Sequence, residues 1–131
     1  MDADDRVLLL RAVPSDGSPF WFPPGGGVEP GETELDAGRR ELVEETGLEA
    51  ESWRPVISIV PSPGFCTERV HVFLATGLRE VARPAAEHEE ADMEVVRMPF
   101  AEAVDAVLDG RIVNGIAVAG ILAAREAIAR S

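Results

Sequence analysis

Apolar and polar positions divide the chain into short stretches of distinct period. Residues 6–11, "RVLLLR", form an apolar run bounded by charge, the pattern of a buried strand. Loop chemistry follows in "PSDGSP" (14–19), and "FWF" (20–22) leads into "PPGGG", which cannot be regular structure. Thr33 with Asp36 three positions on is a capping-box variant. It predicts a helix from Thr33 to about Thr46, with Gly47 as its stop. "PVISIV" (55–60) and "RVHVFLATGL" (69–78) are β-branched and alternate in places, so two strands are expected, joined by the proline- and glycine-bearing loop "PSPGFCTE" (61–68). Residues 81–92 are polar and irregular, and "MEVVRM" (93–98) reads as another strand. Phe100, Val104, Val107 and Leu108 recur at helical spacing up to Gly110, and Asn114 caps a final helix to about Ala129.

No repeat, linker or second domain interrupts this order, and 131 residues suit a single domain with one core. Hydrophobic residues at 46% and charged ones at 27% are ordinary for a soluble globular chain. Nothing resembles a signal peptide, and the longest apolar stretch, "GIAVAGILAA", falls short of the roughly 18 residues of a membrane span. One cysteine, Cys66, excludes an internal disulfide and fits a reducing, cytoplasmic compartment. The net charge is −12 and there is no lysine, which argues against a nucleic-acid partner. An anionic substrate would also be repelled unless divalent cations stood between it and the protein.

The acidic residues concentrate in "GGVEPGETELDAGRRELVEETGL" (26–48). On the helix expected there, Glu41 and Glu45 are four apart and Glu44 is three from Glu41, so all three share a face. Like charges at that spacing destabilise an isolated helix by a few tenths of a kcal/mol. Leu35 and Leu42 lie on a neighbouring face and would anchor the helix to a sheet. A solvated charged face is the ordinary explanation for such a triplet. The sharper one is a site for hard cations, since Mg2+ takes oxygen ligands. Arg39 and Arg40 could pair with the carboxylates, and the glycines ahead of Glu32 let backbone approach them.

The setting decides between the two. Gly26, five residues, Glu32, seven residues, then Arg40-Glu41-Leu42-Val43-Glu44-Glu45-Thr46-Gly47-Leu48 resembles the Nudix box at every defined position. The resemblance implies a Nudix hydrolase, which cuts a nucleoside diphosphate linked to another moiety with the help of two or three Mg2+ (or Mn2+) ions. It would make Glu41 and Glu45 metal ligands together with the carbonyl of Gly25, with Glu44 supporting or sharing metal. Arg40 would hold the glutamates, and Glu32 would be a brace. It further implies an α/β/α sandwich around a mixed sheet. The family's fold begins with a strand ahead of the hairpin into "RVLLLR", whereas Met1 to Asp5 read as a turn. That first strand is therefore expected to be lacking here, its place left to upstream residues, to another element or to a second copy in a homodimer.

Residues 61–78 look like the signature of ADP-ribose pyrophosphatases, and residues 87–124 are similar to the C-terminal part of bacterial members of that branch. On that resemblance Ser62, Gly64, Phe65 and Glu68 would line the substrate pocket on its ribose and phosphate side. Glu90 would position or deprotonate the attacking water, with Glu89 as its rival. The expected reaction is hydrolysis of ADP-ribose, a small-molecule nucleotide, to AMP and ribose 5-phosphate. Alternatives are hydrolysis of (d)NTPs or dinucleoside polyphosphates, or a catalytically weak nucleotide-binding module. "FPPGGGVEPGE" departs from the "LPAG" form common in ADP-ribose enzymes. His71 alternates with Val70 and Val72 and reads as a packing or surface residue, as His88 reads as part of the acidic loop. Cys66 has no evident histidine partner. Trp21 and Trp53 read as core, and Phe65, among proline and glycine, as exposed.

Overall fold

The computed structural model describes residues 1–15, 17–83 and 93–131. Asp16 of the first loop and most of the polar stretch at 81–92 therefore lie outside the described residues. In chain order the elements are β1 (Arg6–Ala12), β2 (Phe20–Phe22), α1 (Glu34–Thr46), β3 (Leu48–Ile59), β4 (Val70–Glu80), β5 (Glu94–Pro99), α2 (Phe100–Leu108) and α3 (Gly115–Ala129). β2, β1 and β5 form one sheet with β1 at its centre, and β3 pairs with β4 in a second. Every one of these ladders is antiparallel. No helix among the described residues is long and apolar enough to cross a membrane.

β1 explains its own sequence. Its inner residues Leu8, Leu9 and Leu10 are all buried, so the strand is covered on both faces and reads as a continuous apolar run instead of an alternating one. Leu9 joins Met98, Ala103, Val104, Ala106, Ile112, Ala117 and Ile121 in one cluster, toward α2 and α3. Leu8 joins Leu42 of α1 and Leu48 in the other, with Trp53 and Val95 packed beside them. The α/β layering expected from the sequence is this: helices on either side of a central strand. Trp21 and Trp53 each pack against one of the two clusters, as expected of core indoles.

The box helix has its predicted ends. Thr33 Oγ1 accepts the Asp36 N–H at 3.1 Å, and the Asp36 carboxylate accepts the Thr33 N–H at 3.1 Å. At the other end Gly47 adopts φ 70° and donates its N–H to Val43, a left-handed cap that glycine takes without a Cβ penalty. Leu42 faces the core as expected. Its buried companions on α1 are Ala37 and Glu45, while Leu35 is only half-buried.

Two features differ from the pattern reading. β3 begins at Leu48, seven residues before "PVISIV", because every residue of "LEAESWR" except Glu51 is paired with the far half of β4. Pro55 is accommodated in it at a register shift between Pro55 and Ile57, the kind of site where a strand tolerates proline. In α2, Leu108 is turned outward at 70% exposure, and Ala103 and Ala106 fill the core instead. That helix follows β5 without a loop, and the Phe100 N–H is taken by the carbonyl of Asp5 at 2.9 Å. Residues 3–5 do form a turn, and the Met1 amino group donates to the carbonyl of Ala75 on β4. Among the described residues β4 pairs with β3 alone.

Because α1 carries the carboxylate face, its N-cap bears on both stability and site. Thr33→Ala should lower stability by about 1 kcal/mol, read as a lower urea midpoint at unchanged slope. An unchanged midpoint would mean that the cap contributes nothing.

Candidate functional site

Arg40 organises the acidic box. Its Nε and Nη2 donate to the two carboxylate oxygens of Glu32 at 3.0 and 2.9 Å, a bidentate pair. Its Nη1 donates to Glu41 at 3.0 Å and to Glu44 at 3.3 Å. Nη2 also reaches the carbonyl of Gly27 at 2.9 Å, and Glu29 stands 3.7 Å from Nη1. One planar guanidinium thus joins two helical glutamates to the loop in front of them, a task for which its forked donors are suited and an ammonium is not. The Arg40 hydrogen bonds, with the Glu29 N–H, hold the Glu32 carboxyl down to about 2. In return Glu32 raises the already high pKa of Arg40.

The glycine strap of residues 25–27 lies across the same helix. The Gly25 N–H points to both oxygens of Glu45, at 3.4 and 3.3 Å. A Cβ on Gly26 would lie 2.3 Å from Oε1 of Glu41, so any side chain at residue 26 would force the Glu41 carboxylate to swing away from the strap. Glu45 is buried at 6% exposure. Glu44 is the most open of the three helical glutamates, and its carbonyl accepts from Arg83 Nε at 3.1 Å.

The strap and Glu45 also border a cleft of about 1250 Å3 that runs between α1 and β4, reaching Trp53 and β1 at its base. Glu68 lines it, whereas Glu41 and Glu44 do not. Gly64 and Phe65 line a shallower depression of about 610 Å3, which Glu68 also borders. The carbonyl of Ser62 accepts the N–H groups of Phe65 and Cys66 at 3.0 and 2.9 Å, forming the turn that throws Phe65 out to 95% exposure. Of the expected pocket residues, Glu68 alone is brought to the cleft with Glu45. Glu90 and its rival Glu89 lie outside the described residues. The pattern reading missed that the start of β4 and the residue just before it face the cleft, so that His71 and Arg69 line it too. The alternation had already set His71 opposite Val70 and Val72, on the side that proves to face α1.

The donor set suits a hard cation. Oxygen is the only ligand type present, and the Gly26 strap brings main chain to within contact of the Glu41 carboxylate. In the arrangement described, Glu41 is turned to Arg40 and Glu45 to the Gly25 N–H. No three acidic, histidine or cysteine side chains converge on one point among the described residues. Accepting an ion there requires rotation of these two side chains.

A family model for the NUDIX domain matches residues 1–116. The ADP-ribose pyrophosphatase of Mycobacterium tuberculosis (strain ATCC 25618 / H37Rv) is 50% identical over 108 residues, 82% of this chain and 52% of that protein. A GDP-mannose pyrophosphatase of Escherichia coli (strain K12) is 35% identical over 78 residues, 59% of this chain and 41% of that protein. The methanol dehydrogenase activator of Bacillus methanolicus is 33% identical over 98 residues, 75% of this chain and 53% of that protein. The chain thus spans about half the length of these relatives. Among solved structures, an ADP compounds hydrolase superposes with a TM-score of 0.78 at 25% identity, covering 95% of this chain and 66% of that one. A MutT structure from a study of Aliivibrio salmonicida and Vibrio cholerae shares the fold, with a TM-score of 0.60 at 22% identity over 80% of this chain and 77% of that one.

The Glu32–Arg40 pair sets a pH dependence. The Glu32 carboxyl is held at about 2 in the folded chain against about 4.5 when unperturbed. Its contribution is therefore complete above pH 4.5 and is lost as pH falls toward 2. Glu32→Gln should destabilise the protein at neutral pH, and the gap to the parent should shrink as pH falls through that window. Asp2 also titrates at about 2, where the Arg6 N–H, the Arg97 guanidinium and the Asp4 N–H outweigh a burial that opposes ionisation. Asp2→Asn therefore provides a second curve in the same window. A Glu32→Gln difference independent of pH would exclude the pair as its source.

Proposed function

This chain belongs to the Nudix family, and on that premise we propose that it hydrolyses the diphosphate bond of nucleoside diphosphate sugars, with ADP-ribose as the substrate. The observation that carries the reaction is the Gly25–Gly26 strap laid on Glu45 and Glu41. The substrate reading is supported by the 50% identity to an ADP-ribose pyrophosphatase. That a GDP-mannose pyrophosphatase is also similar supports a nucleoside diphosphate sugar over a nucleoside triphosphate.

In the proposed reaction water attacks one phosphorus of the diphosphate, the bond from that phosphorus to the bridging oxygen breaks, and the departing phosphate keeps that oxygen. With ADP-ribose the products are AMP and ribose 5-phosphate. Glu41, Glu45 and the carbonyl of Gly25 are the groups that would hold Mg2+ (or Mn2+), two or three ions in all, with Glu44 supporting them. Bound there, such cations would supply charge neutralisation on the phosphate oxygens. Arg40 keeps Glu41 and Glu44 together and joins them to the strap. Without it, three carboxylates would repel one another on one helix face. Glu45 is buried beside the strap, so the rotation that would let it take an ion leaves its carboxylate close to Gly25. Glu90 is assigned to take the proton from the attacking water, as the family resemblance implies.

Two substitutions test this. Glu45→Gln keeps the side chain's shape and removes the charge that attracts the cation. Turnover of ADP-ribose at saturating Mg2+ should drop by about two orders of magnitude or more with an unchanged melting temperature. Near-parental turnover would refute the metal assignment. Glu90→Gln should lower kcat and kcat/KM together, the pattern of a group that acts in the transition state. If it does not, the proton is taken elsewhere, and the same measurement on Glu89→Gln tests the rival.

A further inference from the structure

The chain is arginine-rich among its cations and strongly acidic overall, with 12 basic residues against 24 acidic ones. In such a protein an arginine finds a carboxylate easily. Arg6, Arg11, Arg79, Arg97, Arg111 and Arg130 all do so, and Arg40 finds several. Arg54 and Arg83 spend their guanidinium groups on carbonyls, Arg54 on a serine hydroxyl as well. Among the described residues only Arg39, Arg69 and Arg125 make neither an ion pair nor a hydrogen bond. Of these three, Arg69 alone lines the cleft beside Glu45.

The surroundings of Arg69 make its solitude meaningful. The ionisable side chains on the cleft wall are Glu34, Glu45, Glu68, Arg69 and His71. Two of the three carboxylates have partners there: Glu45 takes the Gly25 N–H, and Glu34 lies 3.5 Å from Nε2 of His71. His71 is held in turn by Ser58, whose hydroxyl is 2.9 Å from Nδ1. His71 is the second residue of β4 and Arg69 directly precedes the strand, and both line the cleft. Phe73, the next on that side, packs edge-on against Trp53, whose ring touches α1 at Gly38. The side of β4 that bears His71 and Phe73 is therefore the side that faces the box helix, and Arg69 opens onto the same cleft. A cleft that holds one unengaged guanidinium together with Glu45 is matched to an anion with two phosphates, one for the guanidinium and one for a cation held at Glu45.

We propose that Arg69 binds a phosphate of the substrate's diphosphate directly, by the paired N–H geometry that guanidinium offers to phosphate oxygens. The inference deepens the diphosphate-hydrolase reading and rests on it for the identity of the substrate, but anion binding at Arg69 is measurable without turnover. Inorganic pyrophosphate is the probe, followed by calorimetry with Mg2+ and again with chelator present. Arg69→Ala should weaken binding on the order of 10- to 100-fold, the range for a charge-assisted hydrogen bond, in both conditions. Arg69→Lys should recover part of the loss, and Arg125→Ala, which removes an equally unengaged charge elsewhere, should change nothing. With ADP-ribose, the Arg69→Ala effect should fall mainly on KM. Parental affinity in Arg69→Ala, an equal loss in Arg125→Ala, or no pyrophosphate binding by the parent would each overturn the proposal. Arg69-dependent pyrophosphate binding by a protein that cleaves no nucleoside diphosphate sugar would uphold it and overturn the proposed reaction instead. Arg69 is exposed and unpartnered, so its variants should keep the parental melting temperature. A Tm drop in Arg69→Ala would give the residue a structural role and count against the proposal.

Discussion

One guanidinium, that of Arg40, sets the geometry on which everything near the box depends. Isolated surface ion pairs contribute little, and none of the individual contacts of Arg40 would hold a loop by itself. Their combination is different, because Glu32, Glu41, Glu44 and the Gly27 carbonyl converge on the same rigid plane. Moving any one of them breaks the orientation of the rest. The repulsion among carboxylates on α1 is offset at its source, and the loop ahead of the helix is fixed by the same contacts.

What the sequence makes legible follows the range of the interactions. α1 could be placed to the residue because its ends are set by contacts three or four positions apart, Thr33 with Asp36 and Gly47 with Val43. The buried character of β1 was visible for a similar reason, as a strand covered on both faces needs no partner to declare itself. The extent of β3 was not visible. "LEAESWR" carries no strand signal of its own and is extended only because β4 runs beside it, with Gly77 at φ 72° opposite Glu51.

The candidate site divides in the same way. The spacing of Glu41, Glu44 and Glu45 follows from helical period alone, and the box implied that Arg40 would hold the glutamates, but its bidentate reach back to Glu32 is visible only in the structure. That Glu68 faces the same space as Glu45, while Phe65 faces away from it, depends on how β4 packs across α1, which no local pattern encodes. Arg69 stood in plain sight in "TERVHV", but an arginine is informative only once its neighbours are known to leave it alone. The side-chain rotation that an ion would demand of Glu41 and Glu45 is likewise a property of the packed site and not of the spacing.

The ties from Arg40 to Gly27 and Glu32, with the strap at Gly26 pressed on Glu41, turn the stretch from 26 to 40 into a ruler. Its length is measured simultaneously by a helix of fixed rise and by a loop that must return to two points on that helix. Most surface loops absorb insertions at small entropic cost. This one cannot, since one added residue would displace either the Gly27 carbonyl or the Glu32 carboxylate from the guanidinium. The five-residue and seven-residue intervals are thus tolerances of a mechanical part, and length variation in this protein is expected to accumulate elsewhere, in the connections that touch neither end of the ruler.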